Sequence, residues 1–169
     1  MIDFENKILK LGFIVNNLGP NQLSYQLVNS ANEYLRSKDD TDISIFYHQL
    51  NPIPYRPSFG VFGLFEAYNY NGYVIATNLY SASRMLSWPG PNRHKMFFYC
   101  YDLDYLRFPQ KQWESLAQIY LNPKLHLIAR SHFHSEILSL AWKPPVGIVE
   151  DCNFSKFVEL IKGEENGRK

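Results

Sequence analysis

The chain has 169 residues, of which 46% are apolar, 20% charged and 16% aromatic, and its formal net charge is +1. This length fits a single domain, and the composition is too apolar for a disordered chain. A charge so near zero argues against binding to nucleic-acid backbones, which needs clustered cations. With 12 Phe, 12 Tyr and 3 Trp, the chain has more rings than a core of this size needs. We therefore expect some rings to face a ligand or a protein partner.

In the first half of the sequence, short apolar runs of strand length lie on either side of a segment with helical periodicity. Leu11 to Val15 is a continuous apolar run, which predicts a strand buried on both faces of a sheet. After a turn cluster, Gln22 to Arg36 fits a helix with apolar residues four apart. Asp42 to Tyr47 predicts the second strand. Asn51 to Gly63 contains three prolines and is predicted to be irregular, with a short helix over Val61 to Tyr68.

The second half predicts four strands that alternate with four helices. The predicted strands are residues 73–77, 95–100, 125–129 and 146–149. The predicted helices are residues 79–87, 110–121, 132–142 and 154–162. Asn78 and Ser131 are the expected N-caps of the first and third of these helices. This order predicts one α/β domain over residues 1–162, with a mainly parallel six-stranded sheet between two helix layers, and a flexible polar tail at 163–169.

The start of the chain and its two cysteines bear on the cellular compartment. Asp3 and Glu5 stand where a secretory signal would carry cations before an apolar run. No apolar run approaches the roughly 20 residues that a membrane span needs. Cys100 and Cys152 have neither metal-binding nor redox spacing. We therefore expect a cytoplasmic protein with two reduced thiols and no membrane span.

Polar residues concentrate directly after the predicted strands, and an open parallel sheet binds its ligands there, where the strand order reverses. The candidate ligand-binding residues are Asn16, Asn17, Gly19, Asn21, Asn78, Tyr101, Arg130, Ser131 and Glu150. The loop from Asn16 to Asn21 leads into a helix, whose first N–H groups are expected to hold an anion or a sugar hydroxyl. Alternatively, Gly19 and Pro20 only turn the chain. The loop matches neither the dinucleotide motif nor the phosphate-binding loop, which argues against a tightly held dinucleotide.

Two side chains are candidate general bases. Asp102 follows a predicted strand, and the alternative is that it or Asp104 only caps a turn. The pair also resembles the Asp-x-Asp site for a divalent metal in another transferase fold, so a divalent cation is the one cofactor considered, and otherwise none is expected. His134 lies in the first turn of a predicted helix, where the positive helix end favours a neutral imidazole suited to base catalysis. The alternative for His134 is a solvated helix start.

Several aromatic residues have two interpretations. The rings at 97–99 and Tyr101 belong to a strand and its exit and are expected mostly in the core. A second group surrounds the proline-rich middle: Tyr47, Tyr55, Tyr68, Tyr70 and Tyr73. Rings beside polar groups stack on sugars or bases, but they also form dimer faces, and the sequence does not choose between these roles.

Five segments in order carry a resemblance to a known family: residues 16–22, 74–78, 97–103, 127–134 and 143–157. They supply a first polar loop, two strands joined by a helix, a strand that ends in a Ser before a helix, and a closing strand with its turn. This arrangement is similar to the N-terminal, acceptor-side Rossmann-like domain of GT-B glycosyltransferases. That family would have a His where this sequence has Tyr101.

The resemblance implies sugar transfer from a nucleotide-sugar, with Asp102 or His134 as the base and the Asn16–Asn21 loop holding the donor or the acceptor. GT-B enzymes have a second domain that supplies most contacts to the donor, and this sequence ends about one helix after the resemblance. It therefore implies half of an enzyme, completed by a partner chain or by a homodimer. Short domains of this kind also resemble small phage proteins, which would place it in the host cytoplasm. The competing hypothesis is a non-catalytic ligand-binding or protein-interaction module that forms a homo-oligomer.

Overall fold

Seven strands form one sheet in the part of the chain that this computed structural model describes, residues 8–38, 40–88 and 96–166. They are β1 (Leu9–Leu18), β2 (Thr41–Leu50), β3 (Gly60–Gly63), β4 (Tyr73–Ala76), β5 (Met96–Cys100), β6 (Leu125–Ala129) and β7 (Gly147–Ile148). Their order is β3-β2-β1-β4-β5-β6-β7, and every neighbouring pair is parallel. All carboxyl ends therefore lie at one edge of the sheet, and the strand order reverses between β1 and β4.

Helices cover both faces of the sheet. In the described ranges they are α1 (Gln22–Ser37), α2 (Leu79–Ser87), α3 (Trp113–Tyr120), α4 (His132–Ala141) and α5 (Phe154–Asn166). The buried sides of α1 and α5 belong to one core cluster, and those of α2, α3 and α4 belong to the other. The predicted three-layer α/β fold with a parallel sheet and helices on both faces is thus confirmed.

The central strand β1 is buried on both faces, as its continuous apolar run predicted. Phe13 lies in the core beneath α1 and α5, where its ring centroid is 5.0 Å from that of Phe154. Its neighbour Ile14 lies in the core of the opposite face. Gly12 allows two rings to pack on the strand, because a Cβ atom at this position would lie 2.8 Å from Phe46 and 2.9 Å from Tyr70.

The sheet has one strand more than the six that were predicted. β3 lies within the proline-rich stretch expected to be irregular, and a 3₁₀ helix at Leu64–Asn69 follows it in place of the short helix expected from Val61. β3 pairs with β2 at the edge of the sheet, with Val61 beside Ile45. A four-residue strand with glycine at both ends has no apolar alternation, so its pairing partner and not its own pattern defines it.

Most other predicted elements lie close to their predicted bounds. Asn78 and Ser131 are N-caps, since their side chains accept hydrogen bonds from the N–H groups of Ser81 and His134. The segment 110–112 is a 3₁₀ turn, so α3 begins at Trp113. α5 continues to Asn166 and covers the first four residues of the predicted tail. Lys95 and residues 167–169 lie outside the described residues.

Both cysteines are buried free thiols. Cys100 lies in the core on the α2 side, and Cys152 lies in the core on the α1 side, so the sheet separates them. Burial raises the pKa of both thiols, that of Cys152 to about 12, and such thiols are unreactive near neutral pH. Among the helices of the described ranges, none combines the length and the apolar character needed to span a membrane.

Candidate ligand-binding cleft

A cleft of about 430 Å³ lies at the carboxyl edge of the sheet, where the strand order reverses between β1 and β4. Its lining consists of Asn16, Asn17, Asn21, Gln22, Leu23, Thr77, Asn78, Tyr101, Asp102, Asp104, Arg107 and Arg130. These residues come from the end of β1, the start of α1 with its N-cap, and the segments that follow β4, β5 and β6. The position is the one where open parallel sheets bind ligands, and the volume is in the range of small-molecule sites.

Hydrogen bonds between side chains and backbone groups hold the loop after β1 in place. Asn21 is the N-cap of α1: its Oδ1 accepts from the Ser24 N–H at 2.9 Å, and its Nδ2 donates to the Asn17 carbonyl at 3.1 Å. The Ser24 hydroxyl donates to the same carbonyl at 3.0 Å. Gln22 and Leu23 begin the helix and line the cleft. The first N–H groups of a helix have no partner within it and carry its positive end, so this wall favours an anion.

The start of α2 forms a second wall, but protein side chains already bind two of its N–H donors. Asn78 Oδ1 accepts from the Ser81 N–H at 2.9 Å, and Asp104 Oδ2 accepts from the Leu79 N–H at 3.0 Å. Burial raises the pKa of the Asp104 carboxyl, while the bond from Leu79 and the charge of Arg107 lower it. Asp104 is therefore a cap of α2, in accord with the capping alternative.

Asp102 stands at the exposed mouth of the cleft. Its Oδ2 accepts a hydrogen bond from Arg107 Nη2 at 3.1 Å, and the side chains of Asp102 and Arg107 are 51% and 72% exposed. An ion pair with this exposure contributes only about 0–1 kcal/mol. A ligand anion can therefore compete with Asp102 for Arg107.

Arg130 is held against the ring of Tyr101. Its guanidinium carbon lies 4.4 Å from the ring centroid, and its Nη1 donates to the Tyr101 carbonyl at 3.3 Å. The Tyr101 hydroxyl donates to Gln26 Oε1 at 2.9 Å, and Gln26 Nε2 donates to Asp151 Oδ1 at 3.1 Å. The ring face and the Tyr101 carbonyl hold the guanidinium, so Arg130 presents its positive charge to the cleft in one orientation.

Seven of the predicted site residues line this cleft: Asn16, Asn17, Asn21, Asn78, Tyr101, Asp102 and Arg130. Gly19, Ser131, His134 and Glu150 are not among the lining residues. The N–H of Gly19 donates to Ser24 Oγ, and its carbonyl accepts from the Tyr55 hydroxyl at 2.7 Å, so Gly19 anchors the loop. Glu150 is an exposed residue of the 3₁₀ helix Glu150–Cys152.

Ser131 and His134 interact with each other in the first turn of α4. Ser131 Oγ lies 2.8 Å from His134 Nδ1 and also accepts from the His134 N–H. Burial lowers the pKa of His134, and the charge of Arg130 lowers it further, while Asp102 raises it. Burial and the charge of Arg130 thus favour the neutral imidazole, the state that its place in the helix led us to expect.

The sequence reasoning missed four lining residues. Gln22 and Leu23 begin the helix directly after the first loop, so the same loop signal points to them. Thr77 was predicted as the last residue of a strand, and its hydroxyl donates to the Ile14 carbonyl at 2.8 Å, which joins β4 to β1 beside the cleft. Arg107 reaches the cleft through the 3₁₀ helix Asp104–Arg107, and no pattern in the sequence indicates this.

Within the described ranges, no three His, Cys, Asp or Glu side chains come together as a metal-binding group. Asp102 and Asp104 bind different protein partners, Arg107 and Leu79. The sequence matches no protein-family model, and no curated protein matches it significantly. The chemistry of the cleft is therefore the basis for assigning a function.

Proposed function

We propose that the cleft binds a nucleotide-sugar or a closely related phosphorylated sugar, and that the chain acts in sugar transfer as the domain that holds this ligand. One observation carries the proposal: five carboxamides and two arginines line a single cleft at the point where the strand order reverses. A carboxamide both donates and accepts hydrogen bonds, which suits sugar hydroxyls, and arginine suits phosphate oxygens.

The charges of the lining support a phosphorylated ligand over a neutral sugar. Arg130 is oriented by Tyr101, and Arg107 is bound only through an exposed ion pair. The start of α1 adds the positive end of a 16-residue helix on the same side. The N–H groups of Leu79 and Ser81 at the start of α2 are bound by protein side chains, so we place the phosphates between α1 and the two arginines.

For the transfer step, we assign the role of general base to Asp102. Its carboxylate takes the proton of an acceptor hydroxyl while that oxygen forms a bond to the anomeric carbon of the sugar. The bond from the anomeric carbon to the diphosphate breaks, and the nucleoside diphosphate leaves with the electron pair. His134 does not line the cleft and is bound to Ser131, so it has no role in this step. A partner domain or a second copy of the chain completes the donor site.

A second candidate function is that of a non-catalytic module that self-associates, and the outer face of α4 favours it. Phe133 and Leu140 on this face are 62% and 86% exposed, and Ile137 between them is partly buried against the core. Residues spaced four and three apart form one stripe of a helix, and an exposed apolar stripe is typical of an interface. Under this hypothesis the stripe is buried in a homo-oligomer.

A thermal-shift screen with UDP-, GDP-, ADP- and TDP-sugars, each with and without a divalent cation, tests the binding proposal. A ligand at 100 times its dissociation constant stabilises the folded state by about 2.7 kcal/mol. We expect one nucleotide class to raise the melting temperature, and Arg130→Gln to abolish the shift. Arg36→Gln, at an exposed arginine in the last turn of α1, is the matched control. The absence of any shift, together with a stable dimer in light scattering, would favour the second candidate.

The base assignment is tested separately with the nucleotide-sugar that binds. Release of nucleoside diphosphate is measured for the wild type, Asp102→Asn and His134→Ala. We expect Asp102→Asn to bind the ligand and to lose turnover by about 100-fold or more, the usual contribution of general base catalysis. His134→Ala is expected to keep both. Unchanged turnover in Asp102→Asn contradicts the assignment.

A further inference from the structure

An open apolar groove of about 620 Å³ lies at the ends of β1 and β2, beside the segment that follows β2. Leucine, isoleucine, valine, phenylalanine and proline side chains line it, together with one polar residue, Asn51. Leu50, at the end of β2, is 54% exposed in it. Exposed apolar surface of this kind in a concave site is typical of a place where an apolar group binds.

The groove and the cleft share a wall. Asn17 lines the cleft and Asn51 lines the groove, and Asn51 Nδ2 donates to Asn17 Oδ1 at 2.8 Å. Leu18, the residue after Asn17, lines the groove, and its carbonyl accepts from the Asn51 N–H at 2.9 Å. A ligand that fills both sites therefore crosses a single pair of hydrogen-bonded side chains.

The groove is formed without a ligand, because its outer wall is tied to α1 and to the first loop. The Tyr55 hydroxyl donates to the Gly19 carbonyl at 2.7 Å. Asn32 Nδ2 donates to the Arg56 carbonyl at 2.8 Å, and Asn32 Oδ1 accepts from both the N–H and the hydroxyl of Ser58. Prolines further restrict this segment. A preformed wall lowers the entropy lost when a flexible chain binds.

We propose that the groove holds the hydrocarbon chain of an amphiphilic acceptor whose hydroxyl-bearing head group lies in the cleft. The acceptor is thus an alkyl, acyl or prenyl glycoside or alcohol. This inference rests on the proposed function, since it identifies the second substrate of the same sugar transfer. The shared wall of the groove and the cleft selects this occupant, because the head group and the chain of one molecule then fill two adjoining sites of opposite polarity.

Calorimetric binding of hexyl, heptyl and octyl glucoside to the full chain tests this inference, with each compound below the concentration at which it forms micelles. Each buried methylene contributes about 0.8 kcal/mol, so we expect the affinity of the wild type to rise about fourfold per methylene. Leu50→Gln is expected to reduce this increment below about twofold. Leu121→Gln, at a leucine of similar exposure at the end of α3, is the matched control and keeps it.

A second variant tests the position of the head group. Asn16 is an exposed cleft residue, and Asn16→Ala is expected to weaken all three glucosides by a similar factor. An affinity independent of chain length, an increment that survives Leu50→Gln, or equal affinities in the wild type and Asn16→Ala would overturn the inference. Nucleotide-sugar binding is measured on the wild type and on the same variants. If the wild type binds no nucleotide-sugar, the proposed function is contradicted, whereas the glucoside affinities still test the groove.

Discussion

Asp104, in the segment after β5, accepts a hydrogen bond at 3.0 Å from the backbone N–H of Leu79, the first residue of α2. A carboxylate from a neighbouring strand end therefore caps this helix together with Asn78. Asp102, two residues earlier, lies at the exposed mouth of the cleft beside Arg107. Two aspartates that look equivalent in the sequence thus have different roles: one stabilises the cleft wall, and the other is available to a ligand.

Replacement of Asp104 is expected to separate its role as an acceptor from its charge. Asp104→Ala leaves the Leu79 N–H without this partner, and loss of a helix cap lowers the free energy of unfolding by about 0.5–2 kcal/mol. Asp104→Asn retains an oxygen acceptor and is expected to remain within about 0.5 kcal/mol of the wild type. Urea denaturation at pH 7 measures both. Asp102→Ala, at an exposed ion pair, is the control, and equal losses in the two alanine variants contradict the capping role.

The raised pKa of Asp104 predicts a pH dependence of stability. Between the ordinary value of 3.8 and the raised value, the folded protein binds more protons at this carboxyl than the unfolded chain does. The free energy of unfolding that this group contributes therefore falls as the pH rises through that interval. Asp104→Asn has no titrating group at this position. The free energy of unfolding of this variant, relative to that of the wild type, is therefore expected to increase as the pH rises across the interval. Urea denaturation from pH 3 to 7 checks this, and parallel curves for the two proteins count against it.

Short-range sequence patterns predicted most of the fold, because the spacing of apolar and capping residues reflects which side chains are buried and where helices begin. The apolar run from Leu11 to Val15 indicated a strand with a core on each face, and Asn78 and Ser131 marked helix starts by their capping side chains. β3 was not predictable in this way. Its backbone pairs with β2 at the sheet edge, and its glycines give no periodic signal.

Only the site residues that lie at or near strand ends could be predicted from the sequence. The rule for parallel sheets placed Asn16, Asn78 and Arg130 at one edge, and they line one cleft. The same rule selected His134, but that side chain is bound to Ser131 within α4. The 3₁₀ helix that brings Arg107 to Asp102 depends on the path of the chain after β5, which short-range patterns do not encode.

The close packing on β1 makes Gly12 sensitive to substitution. A Cβ atom in Gly12→Ala would lie 2.8 Å from Phe46 and 2.9 Å from Tyr70, so one or both rings must move. Overpacking of this kind lowers the free energy of unfolding by about 1–3 kcal/mol. Gly63→Ala is the matched control, because no atom lies within 4 Å of the added Cβ and the φ of −65° suits alanine. That variant is expected to be more stable by about 0.4–1 kcal/mol, and equal effects in chemical denaturation would contradict the packing argument.

The stacking of Arg130 on Tyr101 predicts that the ring, and not its hydroxyl, supports ligand binding. Tyr101→Phe keeps the face on which the guanidinium lies and removes the bond to Gln26, so we expect unchanged nucleotide-sugar affinity and a loss of about 0.5–1.5 kcal/mol in stability.

Tyr101→Leu also removes the ring face and frees Arg130 to adopt other orientations. A cation–π contact of about 0.5–1 kcal/mol corresponds to a two- to fivefold weaker affinity. Calorimetry on the two variants and on Arg130→Gln measures this difference. If Tyr101→Phe weakens binding as much as Tyr101→Leu does, the hydroxyl and its bond to Gln26 orient the site, and the cation–π contact does not.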